Sequence, residues 1–167
     1  MTMKNKLFDC KYFASKGGVV EVDQIDKQIL QLLQNQARIS MTELGKAVGL
    51  SQPAVTERVR RMEEKGIITQ YRAIVSPEKI NKQATAYLLF HTKDCGRFVQ
   101  FCREFPDVVE CHRISGQYNH LVKVVSDSLQ SLEEAINTLG QHGDSTTLIV
   151  LSSPIVNKDL LPTIIND

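Results

Sequence analysis

The stretch Ser40-Met41-Thr42-Glu43-Leu44-Gly45-Lys46-Ala47-Val48-Gly49-Leu50-Ser51-Gln52-Pro53 holds a helix start, a helix stop and a second helix start within fourteen residues. Ser40 and Glu43 have the S-x-x-E spacing in which a hydroxyl and a carboxylate satisfy backbone donors at a helix N-terminus. The short helix that follows is expected to bury Leu44, Ala47 and Val48. Gly49 tolerates left-handed backbone angles and ends it, Leu50 plugs the corner, and Ser51 caps the next helix. Pro53 falls in the first turn of that helix, where a missing N–H costs little, and Gly66 stops it after about Lys65.

Upstream, Ile25, Ile29, Leu32 and Leu33 recur at i, i+4, i+7 and i+8 between Asp23 and Ala37, which is one apolar helical stripe. Downstream, Val55, Val59 and Met62 form the inner side of the third helix. Gln52, Pro53, Thr56, Glu57 and Arg60 are left outside, with Arg58 and Arg61 on the flanks. Three helices with a tight turn before the last make a helix-turn-helix, whose final helix can enter a DNA major groove. Gln52, Thr56, Glu57 and Arg60 carry groups able to read base edges, and Ser51 and Pro53 open the same helix. Lys46, Arg58 and Arg61 are placed as phosphate partners, which set affinity and register. Ile67-Ile68 and Tyr71-Arg72-Ala73-Ile74-Val75 read as strands of a small wing, from which Arg72 reaches the adjacent DNA backbone. The alternative is a protein-docking unit whose Arg- and Glu-rich helix is a solvated face with ion pairs such as Glu57 with Arg61.

Charge divides the chain unevenly. Up to residue 75 there are twelve Lys and Arg against eight Asp and Glu; beyond it there are eight against eleven. Contact with a polyanion therefore belongs to the first half. Hydrophobic residues at 42% and charged residues at 23% fit a globular chain with a real core. No apolar run approaches the ~18 residues of a membrane helix, and the start lacks a signal-peptide apolar region, so a cytoplasmic protein without a membrane partner is expected.

After Ser76-Pro77 the sequence changes period, and 76–83 reads as a linker. Strands are expected at 84–92, 108–115, 120–126 and 146–152. Helices are expected at 94–104, with Phe98, Phe101, Cys102 and Phe105 on one stripe, and after a cap at Asp127, with Leu129, Leu132, Ile136 and Leu139 inside. The order βαββαβ is a ferredoxin-like unit with two helices on one face of a four-stranded antiparallel sheet. The fold class expected is therefore α+β, a winged helix-turn-helix followed by a ferredoxin-like domain. Tyr87, Leu89, Val109, Cys111, Leu121, Val125, Ile149 and Leu151 make the sheet too apolar for one face to stay wet. Two sheets are thus expected to pack face to face in a homodimer.

No catalytic, cofactor or metal site is expected. Cys10, Cys95, Cys102 and Cys111 are widely spaced without a C-x-x-C pair and read as reduced, buried or half-buried thiols. His91, His112, His120 and His142 lack metal-ligand spacing; His112 and His120 bracket a turn and read as polar surface residues. There is neither a nucleophile elbow around Ser152-Ser153 nor a Gly-rich phosphate loop.

Asp26-Lys27-Gln28-Ile29-Leu30, Gly49-Leu50-Ser51, Glu57-Arg58-Val59-Arg60-Arg61-Met62-Glu63 and Gly66-Ile67-Ile68 resemble the reader domain of the leucine-responsive regulatory protein (Lrp/AsnC) family. Ser115-Gly116-Gln117-Tyr118-Asn119, followed by an apolar strand, resembles that family's effector-domain turn. The resemblance spans roughly residues 22 to 156. It implies a transcriptional regulator, not an enzyme, that binds double-stranded DNA, dimerises through its C-terminal sheets, assembles further to tetramers or octamers, and responds to a small amino acid. The effector residues it implies are Gly116, Gln117, Tyr118 and Asn119, with Thr146 or Thr147 on the neighbouring strand. Asn119 stands where the family's turn has Asp, and a neutral amide is a weaker acceptor for an effector's ammonium than a carboxylate. Alternatively, Gly116 and Asn119 simply make a tight hairpin.

The domains expected are a flexible extension at 1–21, a DNA-binding domain at 22–75, an effector and oligomerisation domain at 84–156 and a tail at 157–167. Ser15-Lys16-Gly17-Gly18 could be encoded by a ribosome-binding-like stretch, with translation starting at Val20 or Val22. The rival readings are an architectural protein that bends DNA without a ligand, and an enzyme or an amino-acid-sensing subunit of one.

Overall fold

The computed structural model describes residues 21–163. The expectations for the first twenty residues, Cys10 among them, lie outside the described residues. The chain divides into two compact units, Val75–Pro154 forming one, and 21–74 together with 155–163 the other.

In the helical unit, α1 (Gln24–Asn35), α2 (Met41–Val48) and α3 (Gln52–Glu64) follow the expected order. The Ser40 hydroxyl accepts from the Glu43 N–H at 3.2 Å while the Glu43 carboxylate accepts from the Ser40 N–H at 3.1 Å. Asp23 and Asp26 make a second such box at the start of α1. Gly49 takes φ 71° at the end of α2, and Ser51 caps α3. Ile29, Leu33, Leu44, Val55, Val59 and Met62 are the buried core, each large side chain contributing about 1.5–3 kcal/mol on burial.

Two expectations fail here. Ala47 is exposed; Gly45 takes the inner position instead, because the turn folds back until a Cβ there would sit 2.8 Å from the Leu50 carbonyl oxygen. The wing is also not formed, since 67–68 and 71–75 contain no strand. The Ile67 and Ile68 N–H groups both donate to the Met62 carbonyl, so they finish α3 instead of starting a ladder. Residues 155–163 lie on α1: the Gln34 amide donates to the Leu160 carbonyl at 3.0 Å and accepts from the Leu160 N–H at 2.9 Å, and Asn35 donates to Asp159 at 2.8 Å.

The second unit contains β1 (Ala84–His91), α4 (Cys95–Glu104), β2 (Val108–Arg113), β3 (His120–Ser126), α5 (Leu129–Gly140) and β4 (Asp144–Ile149). The sheet order is β2-β3-β1-β4 with every pair antiparallel, which is the expected βαββαβ unit. Ser128 caps α5 through the Ser131 N–H, in place of Asp127. The last strand also lies earlier than 146–152. His91 pairs with Asp144 and Ala86 with Ile149, after which Val150 donates to Thr85 and the chain leaves the sheet, with Leu151 94% exposed.

Ala84, Ala86, Leu88 and Phe90 alternate into the core beneath α4 and α5, with Phe90 stacked on Phe98 at 4.3 Å. Thr85, Tyr87 and Leu89 project from the opposite face. Directly paired residues share a face, so Leu121, Lys123 and Val125 of β3 and Thr146 and Leu148 of β4 join them. Of the residues expected on either face, Cys111 and Ile149 fall on the helix side, and Val109 sits in a bulge on β2. The open face has no helix over it among the described residues.

Candidate functional site

On α3, capping and core contacts decide what faces outward. Val55, Val59 and Met62 lock one side into the core, leaving Gln52, Pro53, Thr56, Glu57 and Arg60 exposed, as the helical period requires. Ser51 spends its hydroxyl on the Ala54 N–H, and Thr56 returns its own to the Gln52 carbonyl at 2.8 Å. Lys46 and Arg72 are also exposed, on α2 and in the segment after α3.

The three arginines of α3 differ. Arg58 turns inward, donating to Asp23 and to Asp26 at 2.7 Å each, so the phosphate role expected of it gives way to a clamp between α3 and the start of α1. Asp26 is only 2% exposed, and such a charge requires partners of this kind. Burial alone would raise the Asp23 pKa; the Asp26 N–H and Arg58 outweigh it and hold it below the ordinary value. Hydrogen bonding to Asp23 and Asp26 raises that of Arg58. Arg61 reaches Asp26 at 3.3 Å with its side chain still 47% exposed. Arg60 stands outside between Glu57 and Glu64, paired with both, which replaces the expected Glu57 to Arg61 pair. Beside it, Tyr71 donates to Glu63 at 2.8 Å, and burial together with that bond pushes its pKa up to about 12.

The turn between β2 and β3 is built from both sides. Gly116 holds φ 121°, which an L side chain rarely adopts. The Gln117 carbonyl meets the His91 ring Nδ1 at 3.1 Å. The Tyr118 hydroxyl shares a 2.7 Å hydrogen bond with the Thr146 hydroxyl, which brings two candidate effector residues together on the open side of the sheet. Thr147 pairs with Leu88 and therefore projects to the helix side, away from this group.

Asn119 spends its side-chain amide within the chain. Its Nδ2 donates to the Thr92 carbonyl at 2.7 Å, and its Oδ1 accepts from the Thr92 N–H at 3.1 Å and meets the His120 ring Nδ1 at 2.9 Å. A carboxylate could not supply the donated bond. The amide here is used by the main chain of Thr92.

Of the two histidines read as surface residues, His112 is one and His120 is not. His112 is exposed beside Glu110. His120 is 1% exposed, edge-on to Phe98 at 5.2 Å, and burial lowers its pKa. The D-x-x-D spacing of Asp23 and Asp26 was the available signal for the first capping box and its buried carboxylate. Nothing in local sequence signalled that His91 and Thr92 hold the distant turn.

Comparison with known proteins matches residues 22–63 to the AsnC-type helix-turn-helix domain and residues 86–160 to the Lrp/AsnC ligand binding domain. The uncharacterized HTH-type transcriptional regulator YezC of Bacillus subtilis (strain 168) is 49% identical over 132 residues, covering 79% of this chain and 95% of YezC. The structure of B. subtilis LrpC superimposes with a TM-score of 0.79 at 34% identity, covering 83% of this chain and 99% of LrpC. The Neisseria meningitidis transcriptional regulator NMB0573, solved as a complex with L-Met, gives 0.77 at 26% identity, covering 83% and 96%. With its reader helices, its sheet unit and these relatives in agreement, the chain belongs to the Lrp/AsnC family of transcriptional regulators, with a DNA-binding helix-turn-helix and a ligand-binding domain.

Proposed function

We propose that the chain is an amino-acid-responsive DNA-binding regulator that reads duplex DNA with the outer face of α3 and works as a homodimer or higher assembly of dimers. The observation that carries this reading is the division of α3 into a buried side, Val55, Val59 and Met62, and an exposed polar side, Gln52, Thr56, Glu57 and Arg60. Side chains of the second kind hydrogen-bond base edges in a major groove. Lys46, Arg61 and Arg72 lie in the same unit as exposed cations for phosphates.

Tyr87, Leu89, Leu121 and Leu148 support dimerisation, because they give the open sheet face an apolar centre that a second copy would cover. Gly116, Gln117, Tyr118 and Thr146 are the effector candidates. The paired hydroxyls of Tyr118 and Thr146 offer donors and acceptors to a ligand's carboxylate or ammonium. That the Neisseria relative was solved with L-Met supports a small amino acid as the ligand class.

Gel-shift titration of the upstream region of the protein's own gene, with and without a panel of amino acids, tests this. Sequence-preferring binding altered by one amino acid supports it. Uniform, ligand-blind binding points to an architectural protein, and absence of binding at low salt overturns the DNA reading.

A further inference from the structure

Two thiols separated by eight residues line one cleft between α4 and β2. Cys102 is buried on the inner side of α4, and Cys111 is half-buried on the helix side of β2, paired in register with Val122. Both border one shallow cleft, together with Val99, Arg103, Val108 and Glu110. Among the described residues, no group of three His, Cys, Asp or Glu side chains is placed to hold a metal ion. A dithiol without further ligands is suited to sulfur–sulfur chemistry.

We propose that Cys102 and Cys111 are a thiol–disulfide exchange site, whose reaction with a low-molecular-weight disulfide ends in an intramolecular bond joining α4 to β2. The order of events follows from position and protonation. The nearness of the two thiols across the cleft raises the pKa of Cys102, with burial adding to it, and lowers that of Cys111. Cys111 is the more exposed of the two and the Arg103 cation borders its cleft, so it is the thiol that ionises first.

The Cys111 thiolate attacks one sulfur of the disulfide RSSR; the S–S bond breaks, and one RS⁻ leaves. Cys102 then gives up its proton and attacks the Cys111 sulfur of the mixed disulfide, expelling the second RS⁻. Two protein thiols become one disulfide, and RSSR is reduced to two RSH, so atoms and electrons balance. The product staples the edge strand of the sheet to the helix above it.

Full-length protein, reduced and then incubated with oxidised glutathione, is analysed by intact mass and by non-reducing tryptic mapping. The expected product has lost two hydrogens and links the peptide 98–103 to the peptide 104–113, and dithiothreitol reverses it. Cys102→Ala, which keeps a small apolar group in the core, should instead accumulate a glutathione adduct on Cys111, and Cys111→Ser should give neither product. Pairing of either cysteine with Cys10 or Cys95, a persistent adduct on Cys111 in the unsubstituted protein, or complete later alkylation of both thiols would each overturn the assignment.

Discussion

The side-chain amide of Asn119 closes a two-point clasp on the main chain of Thr92, donating to its carbonyl at 2.7 Å and accepting from its N–H at 3.1 Å. Thr92 is buried, so neither group has water as a substitute partner. Asn119→Asp keeps the acceptor, loses the donor and sets a carboxylate against a carbonyl. A buried group left unsatisfied costs about 1–3 kcal/mol, and the substitution should lower stability by that amount. Urea unfolding checks it; an unchanged midpoint would mean that the clasp contributes nothing.

Arg58 serves the fold ahead of DNA. Removing it in Arg58→Ala leaves Asp26, 2% exposed, with only the longer contact to Arg61. Arg58 is itself 26% exposed and pairs with a half-exposed Asp23, so the loss should fall below that of a fully buried pair, at about 1–3 kcal/mol. Arg58→Lys should recover only part, because an ammonium is more strongly hydrated than a guanidinium and costs more to desolvate beside the buried Asp26. Chemical denaturation of both variants separates this from the phosphate role: unchanged stability with weaker DNA binding would restore the latter.

His120 makes stability depend on pH near neutrality. Burial first, and the nearby Arg113 second, hold its folded pKa below 6.5. The unfolded chain therefore binds the proton more readily. Its contribution is complete above pH about 6.5 and is lost as pH falls through the lower folded value. Thermal melts between about pH 7.5 and about pH 5.5 should show a decline that His120→Gln flattens. An equal decline in both proteins would place the titration elsewhere.

Tyr118 and Thr146 test the effector group. Tyr118→Phe keeps the ring and removes the hydroxyl that meets Thr146 at 2.7 Å. Isothermal titration of the amino acid that alters DNA binding should show weaker affinity, while size-exclusion chromatography shows the same assembly. Loss of the assembly with affinity unchanged would assign this pair to packing.

Much of this architecture was readable because local rules agreed. Ser40 with Glu43, Gly49 and Ser51 set the borders of α2 and α3 within a residue, and the run from Ala84 to Thr92, apolar on both faces, marked β1. Errors arose where a partner distant in sequence decides. Tyr71 to Val75 has strand composition but no strand beside it among the described residues, and Thr146 and Thr147 could be told apart only by their register against β1. A helical wheel puts Arg58 on the flank and Arg60 outside, but it does not show what holds either. Asp26, from another helix, claims the first, while Glu57 and Glu64, on the same helix, hold the second.

That difference sets the behaviour of α3 on DNA. Arg60 is held only by carboxylates that are themselves more than half exposed, and such surface pairs are weak and screened by salt. A guanine edge or a phosphate can therefore take the guanidinium from them, whereas Arg58 is bound to a buried charge and stays. Arg60→Ala should then weaken the preferred site by about ten- to a hundred-fold and random DNA much less, because a base contact is lost. Glu57→Gln should act in the other direction. With one carboxylate removed from the groove-facing side, random DNA should bind more tightly. The slope of log K against log salt should steepen by about 0.9, as for one added phosphate contact. Fluorescence anisotropy on both DNAs over a salt series gives all of these quantities. If Arg60→Ala lowers both affinities equally, Arg60 is another phosphate contact and base reading rests with Gln52 and Thr56.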